Sequence, residues 1–264
     1  MLVTGGNKGI GFGIVKALAL NAPEFDTVIL TARNPALGQQ AILELGSPSK
    51  VVFFKLDVES KEDIDNCASF VRGTYGKIDV LVNNAGWAAK GDAFDEEVVN
   101  TTIGINFYGL KYMTEAFIPL LNESGHIVNI SSSCGETRFL KNENLALRFL
   151  DPNLTFEGII GLAEEFKRLV KEGIWKENGW PTFGYAVSKI LVNSYTRVLN
   201  QEFVKNGINL RVNAVHPGWV RTDMAGQGAD LSIEEGAALP VRVARDLSSL
   251  SGKYWRDNEH FEPY

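Results

Sequence analysis

Sulfur and imidazole are scarce in this chain: its 264 residues include two cysteines, three methionines and three histidines. Cys67 and Cys134 are too few for a disulfide framework, which excludes the small stapled secreted scaffolds and fits a reducing compartment. No metal-ligand set is read from them. Basic excess is also missing: 26 Lys and Arg stand against 32 Asp and Glu, for a net charge of -6 without basic runs. Nucleic acid and anionic membrane surfaces are therefore not expected partners. No apolar run approaches the roughly 20 residues of a membrane span. No charged-then-apolar leader opens the chain, so the expected location is the cytoplasm. Internal repeats and Gly/Ser or Pro linkers are lacking too, which leaves one α/β domain over 1–264 as the simplest organisation.

What is present begins at once. Thr4-Gly5-Gly6-Asn7-Lys8-Gly9-Ile10-Gly11 lies between the apolar Leu2-Val3 and a helical pattern through Ile14, Ala17, Leu18 and Leu20. Glycine lets backbone N–H groups approach a phosphate, and the following helix points its positive end at the anion. A tight turn built on glycine for geometry alone reads the same way. Only Met1 to Thr4 precede the glycines, so the first strand is expected to be short or to lack upstream residues.

Thr27–Thr31, Val51–Phe54, Asp79–Val82, His126–Ile130 and Leu210–Val215 read as strands covered on both faces, with Gly252–Trp255 as a short last one. Pro35–Leu45, Lys61–Thr74 and Glu96–Leu121 read as helices between them, the third loosened at its end by Pro119. The alternation predicts a doubly wound parallel sheet of Rossmann-like type. The interval of about 136–181 has no strand pattern and reads as a helical insertion. In it Phe156, Ile159, Ile160, Ala163, Phe166 and Val170 form an apolar stripe behind a Thr155 cap. Docking on the domain surface is the simpler reading of that stripe, a lid over the site the other.

Tyr185 and Lys189, at i and i+4, share one helix face. An ammonium about 5 Å from a phenol favours the phenolate by roughly 3 kcal/mol at an effective dielectric near 20, or about two pKa units. Such a tyrosine exchanges protons with a carbonyl or alcohol oxygen near neutrality. Asn83-Asn84-Ala85-Gly86 and Ser131-Ser132-Ser133 stand at strand ends, where open α/β sheets bind ligands. Asn106, disfavoured inside a helix, needs a special reason, and a buried structural hydrogen bond would serve.

Taken in order, the glycine turn, N-N-A-G, I-N-F, N-I-S-S, Y-A-V-S-K and H-P-G-W-V-R-T-D resemble the short-chain dehydrogenase/reductase family over nearly the whole chain. The long interval from Ser132 to Tyr185 and the string Gly218–Gly226 are similar to its monomeric carbonyl reductase group. The resemblance implies an NADPH-dependent enzyme that reduces small carbonyl compounds, with Tyr185 as acid/base. Lys189 lowers its pKa, Ser132 (with Ser133 as competitor) holds the substrate oxygen, and Asn106 holds a water next to Lys189. It implies contacts to the dinucleotide from Gly5, Asn7, Lys8, Gly9, Ile10 and Gly11, from Asp57 and Val58, and from Asn84, Ala85 and Gly86. Pro217, Gly218, Val220, Arg221 and Thr222 complete that set. The inserted helices would cover the oligomerisation face, leaving a monomer.

The second strand ends Thr31-Ala32-Arg33 without a carboxylate, so Arg33 and Lys8 suit a 2'-phosphate and favour NADPH over NADH. Trp87, Cys134, Trp180 and Trp219, with Ser132, are candidates for an aromatic-tolerant pocket; core packing explains any one of them singly. His216 stands where the animal enzymes of that group carry cysteine, and it reads more readily as a packed histidine than as a catalytic one. The rival function is a cofactor-binding regulator or scaffold of the same fold without turnover.

Overall fold

A computed structural model describes residues 1–246, 248, 250–257 and 259–261. Strands and helices alternate from the start: β1 (Leu2–Val3), α1 (Gly9–Asn21), β2 (Val28–Ala32), α2 (Pro35–Glu44), β3 (Val51–Lys55), α3 (Lys61–Thr74) and β4 (Ile78–Asn83). The long helical stretch that follows comprises α4 (Glu96–Ile103), a π-helical segment (Gly104–Gly109), α5 (Leu110–Phe117) and a tight turn at Ile118–Leu120 that holds Pro119. Then come β5 (Leu121–Ile130), α6 (Glu143–Leu150), α7 (Phe156–Lys171), α8 (Gly184–Lys205), β6 (Arg211–Val215), α9 (Ile233–Arg245), β7 (Tyr254–Arg256) and β8 (Glu259–Phe261).

The sheet order is β3-β2-β1-β4-β5-β6-β7-β8. The first seven strands are parallel and β8 returns antiparallel on β7, an edge the sequence pattern did not announce. Winding reverses between β1 and β4, so the loops leaving those two strands part and open a crevice at their carboxyl ends. Strand side chains alternate between two cores, as a period of two requires. Leu2, Leu81, Ile127 and Val212 face α3, α4, α5 and α8, while Val3, Val82, Val128 and Val215 face α1 and α9.

α9 was not anticipated because Pro240 interrupts its pattern. Its start nevertheless carries a reciprocal capping box between Ser232 and Glu235, a signal present in the sequence as S-x-x-E. α8 is buried on almost every side from Gly184 to Thr196 because the sheet covers one face and the insertion covers the other.

The insertion docks rather than hangs free. Thr155 caps α7 through the Gly158 N–H, at 3.1 Å, and Ile159, Leu162, Ala163, Phe166 and Leu169 enter the same core as α4 and α8. Trp180 belongs to that packing and not to a substrate pocket, which corrects its candidacy. It is 1% exposed, with ring centroids of Phe166 at 5.0 Å and Phe149 at 5.9 Å. A bulky apolar ring at the close of the insertion is used to fill the insertion. Trp180→Ala is expected to destabilise the fold by about 3–5 kcal/mol in urea unfolding, while relative rates among carbonyl substrates stay as in the wild type.

Candidate active site

Thr4 leads β1 into the glycine turn. Its hydroxyl accepts from the Asn84 and Ala85 N–H groups, both at 2.9 Å, and the Asn84 amide donates back to the Thr4 and Gly5 carbonyls at 2.9 and 3.0 Å. Gly5 and Gly9 take φ values of +61° and +55°, which L side chains disfavour. Gly11 is required for a different reason: a Cβ there would stand 2.3 Å from the Gly5 carbonyl oxygen and 2.4 Å from the Asn84 amide. Asn84 thus spends its side chain bracing the turn. α1 starts with neither a side-chain cap nor an acidic residue in its first turn, so its leading N–H groups are left for an anion. Asn7 and Ile10 sit partly exposed on the rim of this cradle.

Arg33 leaves the end of β2 exposed, and among the described residues it makes no side-chain hydrogen bond. Lys8 differs. Its ammonium is 2.9 Å from the Asp223 carboxylate, with both side chains largely exposed, and the contact holds Asp223 below the usual carboxylate range. The two cations expected to act alike are therefore unequal. The cradle, the uncapped helix and Arg33 fit a dinucleotide bearing a 2'-phosphate.

Asp57 and Val58 follow β3 at the same sheet edge. Asp57 accepts from the Glu59 N–H at 3.1 Å, and Val58 packs so closely on Gly109 that a Cβ there would meet it at 2.8 Å. After β6, Gly218 has φ +88° and Val220 is buried, bridged to Leu231. Arg221 donates to the Ala229 and Asp230 carbonyls at 3.1 and 2.7 Å, so it ties the loop that follows Pro217. Thr222 meets the turn directly, with its methyl 3.2 Å from where a Gly9 Cβ would be. The His216 backbone N–H donates to the Trp255 carbonyl at 2.8 Å, while its ring Nδ1 is buried without a hydrogen-bond partner and burial pushes the imidazole pKa down.

α8 carries Tyr185 and Lys189 one turn apart, with the Lys189 ammonium 5.5 Å from the centre of the Tyr185 ring. Lys189 is 4% exposed and donates to the Ile130 carbonyl at 2.8 Å. Burial brings its pKa down to about 8. Burial also pushes the Tyr185 phenol above its ordinary value, the Cys134 sulfur acts in the same direction, and only the neighbouring Ser132 hydroxyl opposes them. Lys189 is expected to draw the phenol down, but the net direction at rest is up. Desolvation penalises the phenolate and the ammonium together and outweighs attraction between them.

Ser132 is buried, caps the short turn Ser133–Gly135 through the Cys134 N–H at 3.2 Å, and lies next to Tyr185; Ser133 is the more open of the two. Asn106 sits in the π-helical segment, a widened turn that recurs at functional sites. Its Oδ1 accepts from the Trp87 N–H at 2.7 Å, and its Nδ2 donates to the Trp87 carbonyl and the Ser188 hydroxyl, both at 2.9 Å. Gly86 keeps open the space between it and Lys189: a Cβ there would be 3.4 Å from Asn106 Oδ1 and 3.9 Å from Lys189 Nζ.

Trp87 and Cys134 are half-buried and Trp219 is 53% exposed, all on loops at the carboxyl edge. Phe183 was missed. It is 44% exposed with its ring 5.9 Å from that of Tyr185, and the signal was an aromatic two residues before the Tyr-x-x-x-Lys pair.

Residues 1–143 match the profile described as short chain dehydrogenase, and residues 173–239 match one described as enoyl-(acyl carrier protein) reductase. The chain is 37% identical to carbonyl reductase (NADPH) 1 of Mus musculus, over 100% of this chain and 97% of the relative. It is 40% identical to (+)-neomenthol dehydrogenase of Arabidopsis thaliana, over 92% and 90%. Among solved structures, salutaridine reductase from Papaver somniferum superposes with a TM-score of 0.88 at 33% identity, covering 97% of this chain and 98% of that one.

Because Asp223 already shares the charge of Lys8, Arg33→Ala is expected to erode NADPH affinity relative to NADH on the order of 10-fold. Lys8→Ala should cost clearly less. Dissociation constants from nucleotide fluorescence measure both, and equal losses would put Lys8 back on a par with Arg33.

Proposed function

The chain belongs to the short-chain dehydrogenase family, and from its site we propose an NADPH-dependent carbonyl reductase, one domain throughout, that converts ketones, aldehydes and quinones to alcohols. The observation that carries this reading is the meeting of Ser132, Tyr185 and Lys189 at the carboxyl edge of the sheet, beside the glycine turn.

The turn, the free end of α1 and Arg33 would hold the dinucleotide's phosphates, and the loops at Asp57–Val58, Asn84–Gly86 and Pro217–Thr222 would line the rest. When bound, the cofactor supplies the hydride. The protein manages the oxygen. Ser132 donates a hydrogen bond to the substrate carbonyl. The Tyr185 phenol, kept protonated by burial, gives its proton to that oxygen as negative charge develops there. The phenolate left behind is stabilised by the Lys189 ammonium, whose pKa of about 8 leaves it charged at neutrality. Trp87, Trp219 and Phe183 offer apolar surface to the rest of the substrate.

The same reading includes a monomer in the cytoplasm. α7 packs across α4 and α8, covering surface that would otherwise be open to a second copy, and the two cysteines are free. Sedimentation is expected to give one species of 29.0 kDa with both thiols titratable after unfolding without reductant. A dimer or a disulfide would overturn that part.

Oxidation of NADPH, followed by absorbance against a panel of quinones, aromatic aldehydes and ketones, tests the activity. Tyr185→Phe is expected to lower kcat by roughly 100-fold or more with NADPH affinity unchanged. Near wild-type turnover in that variant would show that Tyr185 is not the proton donor.

A further inference from the structure

Ser132 has to meet both a substrate oxygen and Tyr185, yet it stands on a loop, and a loop holds a hydroxyl in place only if something rigid holds the loop. The rigid part here is α8. Asn193, 1% exposed, follows Lys189 by one turn and Tyr185 by two, so the three side chains lie along one side of the helix. Its amide reaches the Ser132 loop at two points. The Ser131 hydroxyl donates to Asn193 Oδ1 at 2.6 Å, and Asn193 Nδ2 donates to the Gly135 carbonyl at 2.9 Å. These contacts bracket Ser132 on both sides.

The loop also lies hard against the helix at this place. A Cβ on Gly135 would be 2.8 Å from Asn193 Nδ2 and 2.8 Å from the Lys189 carbonyl oxygen, so neither partner can shift toward the other. An amide suits the position, since it accepts on one side and donates on the other. Leucine would do neither, and asparagine inside a helix is otherwise unfavourable.

We infer that Asn193 is a positioning residue that locks the Ser132 loop to the helix bearing Tyr185 and Lys189, so that hydroxyl, phenol and ammonium move as one body. This rests on the carbonyl-reducing reading of the site. A misplacement of about 1 Å can cost on the order of 100-fold in rate, which sets the scale of the effect.

The test is a double-mutant cycle on the full chain, with NADPH affinity as the check that each variant is folded and loaded. Asn193→Leu is expected to lower kcat roughly 10- to 100-fold at unchanged NADPH affinity. Ser131→Ala, which removes one of the two ties and endangers folding less, should lose several-fold. In a Ser132→Ala background both substitutions are expected to cost almost nothing more, because the group they position is already gone. Equal losses in the two backgrounds would overturn the inference and leave Asn193 with a general packing role. So would wild-type turnover in Asn193→Leu. Wild-type turnover in Ser132→Ala would instead overturn the assignment of the site, and the inference with it.

Discussion

A buried ammonium sets the terms for the rest of this structure. Taking a lysine head group out of water costs several kcal/mol even after relaxation. Lys189 is almost fully enclosed, with the Ile130 carbonyl as its hydrogen-bond acceptor. The fold must therefore deliver a free carbonyl at the end of β5, hold α8 against the sheet, and keep water away from the top of the helix. β5 ends at that carbonyl, the core that α8 shares with α3, α4 and α5 provides the second, and the burial of Lys189 itself meets the third. Its lowered pKa records the strain of that burial. A bound substrate oxygen acquiring negative charge, or a phenolate at Tyr185, would relieve it, so the resting site stabilises charge it does not yet contain.

Beneath the site, other buried polar groups are tied to one another, although Asn83 Oδ1 itself is left without a partner. The Asn83 amide on β4 donates to Thr114 on α5 and to Asn129 on β5, and Asn129 donates to Thr196 on α8, at 2.9–3.0 Å throughout. This chain of amides and hydroxyls crosses from sheet to helices just below the catalytic groups. Apolar contacts tolerate small slips of one element over another, whereas a buried amide with fixed partners does not. The register of α8 against β4 and β5, and so the height of Tyr185 above the sheet, is pinned by it.

What could be read from the sequence was what local spacing encodes. The glycine turn, the pair Tyr185 and Lys189, and the strand-end motifs each span only a few residues and carry their geometry with them. The parts that escaped depend on neighbours distant in the chain. Asn193 looks like an ordinary polar residue until Ser131 and Gly135 arrive from β5. Widening of the helix at Asn106 follows from its hold on Trp87, 19 positions away. Trp180 misled because an aromatic near a motif looks the same in sequence whether it lines a pocket or fills a core. The net upward direction of the Tyr185 pKa is not legible there, because charge is written in a sequence and desolvation is not.

The glycine turn shows how far binding and packing share the same residues. Gly5 and Gly9 are glycines because the backbone turns left-handed, Gly11 because Asn84 and the Gly5 carbonyl occupy the space of a Cβ, and Gly13 because Ile233 of α9 does. The first pair is set by the turn's own backbone, the second by what packs on it. Gly11 and Gly13 press that turn against the Asn84 loop and against α9, while Gly9 touches Thr222 and Lys8 reaches Asp223 on the loop after β6. The turn and the loop after β6 therefore hold each other in place. The placement of Thr222 and Asp223 is thus coupled to that of the turn by direct contact.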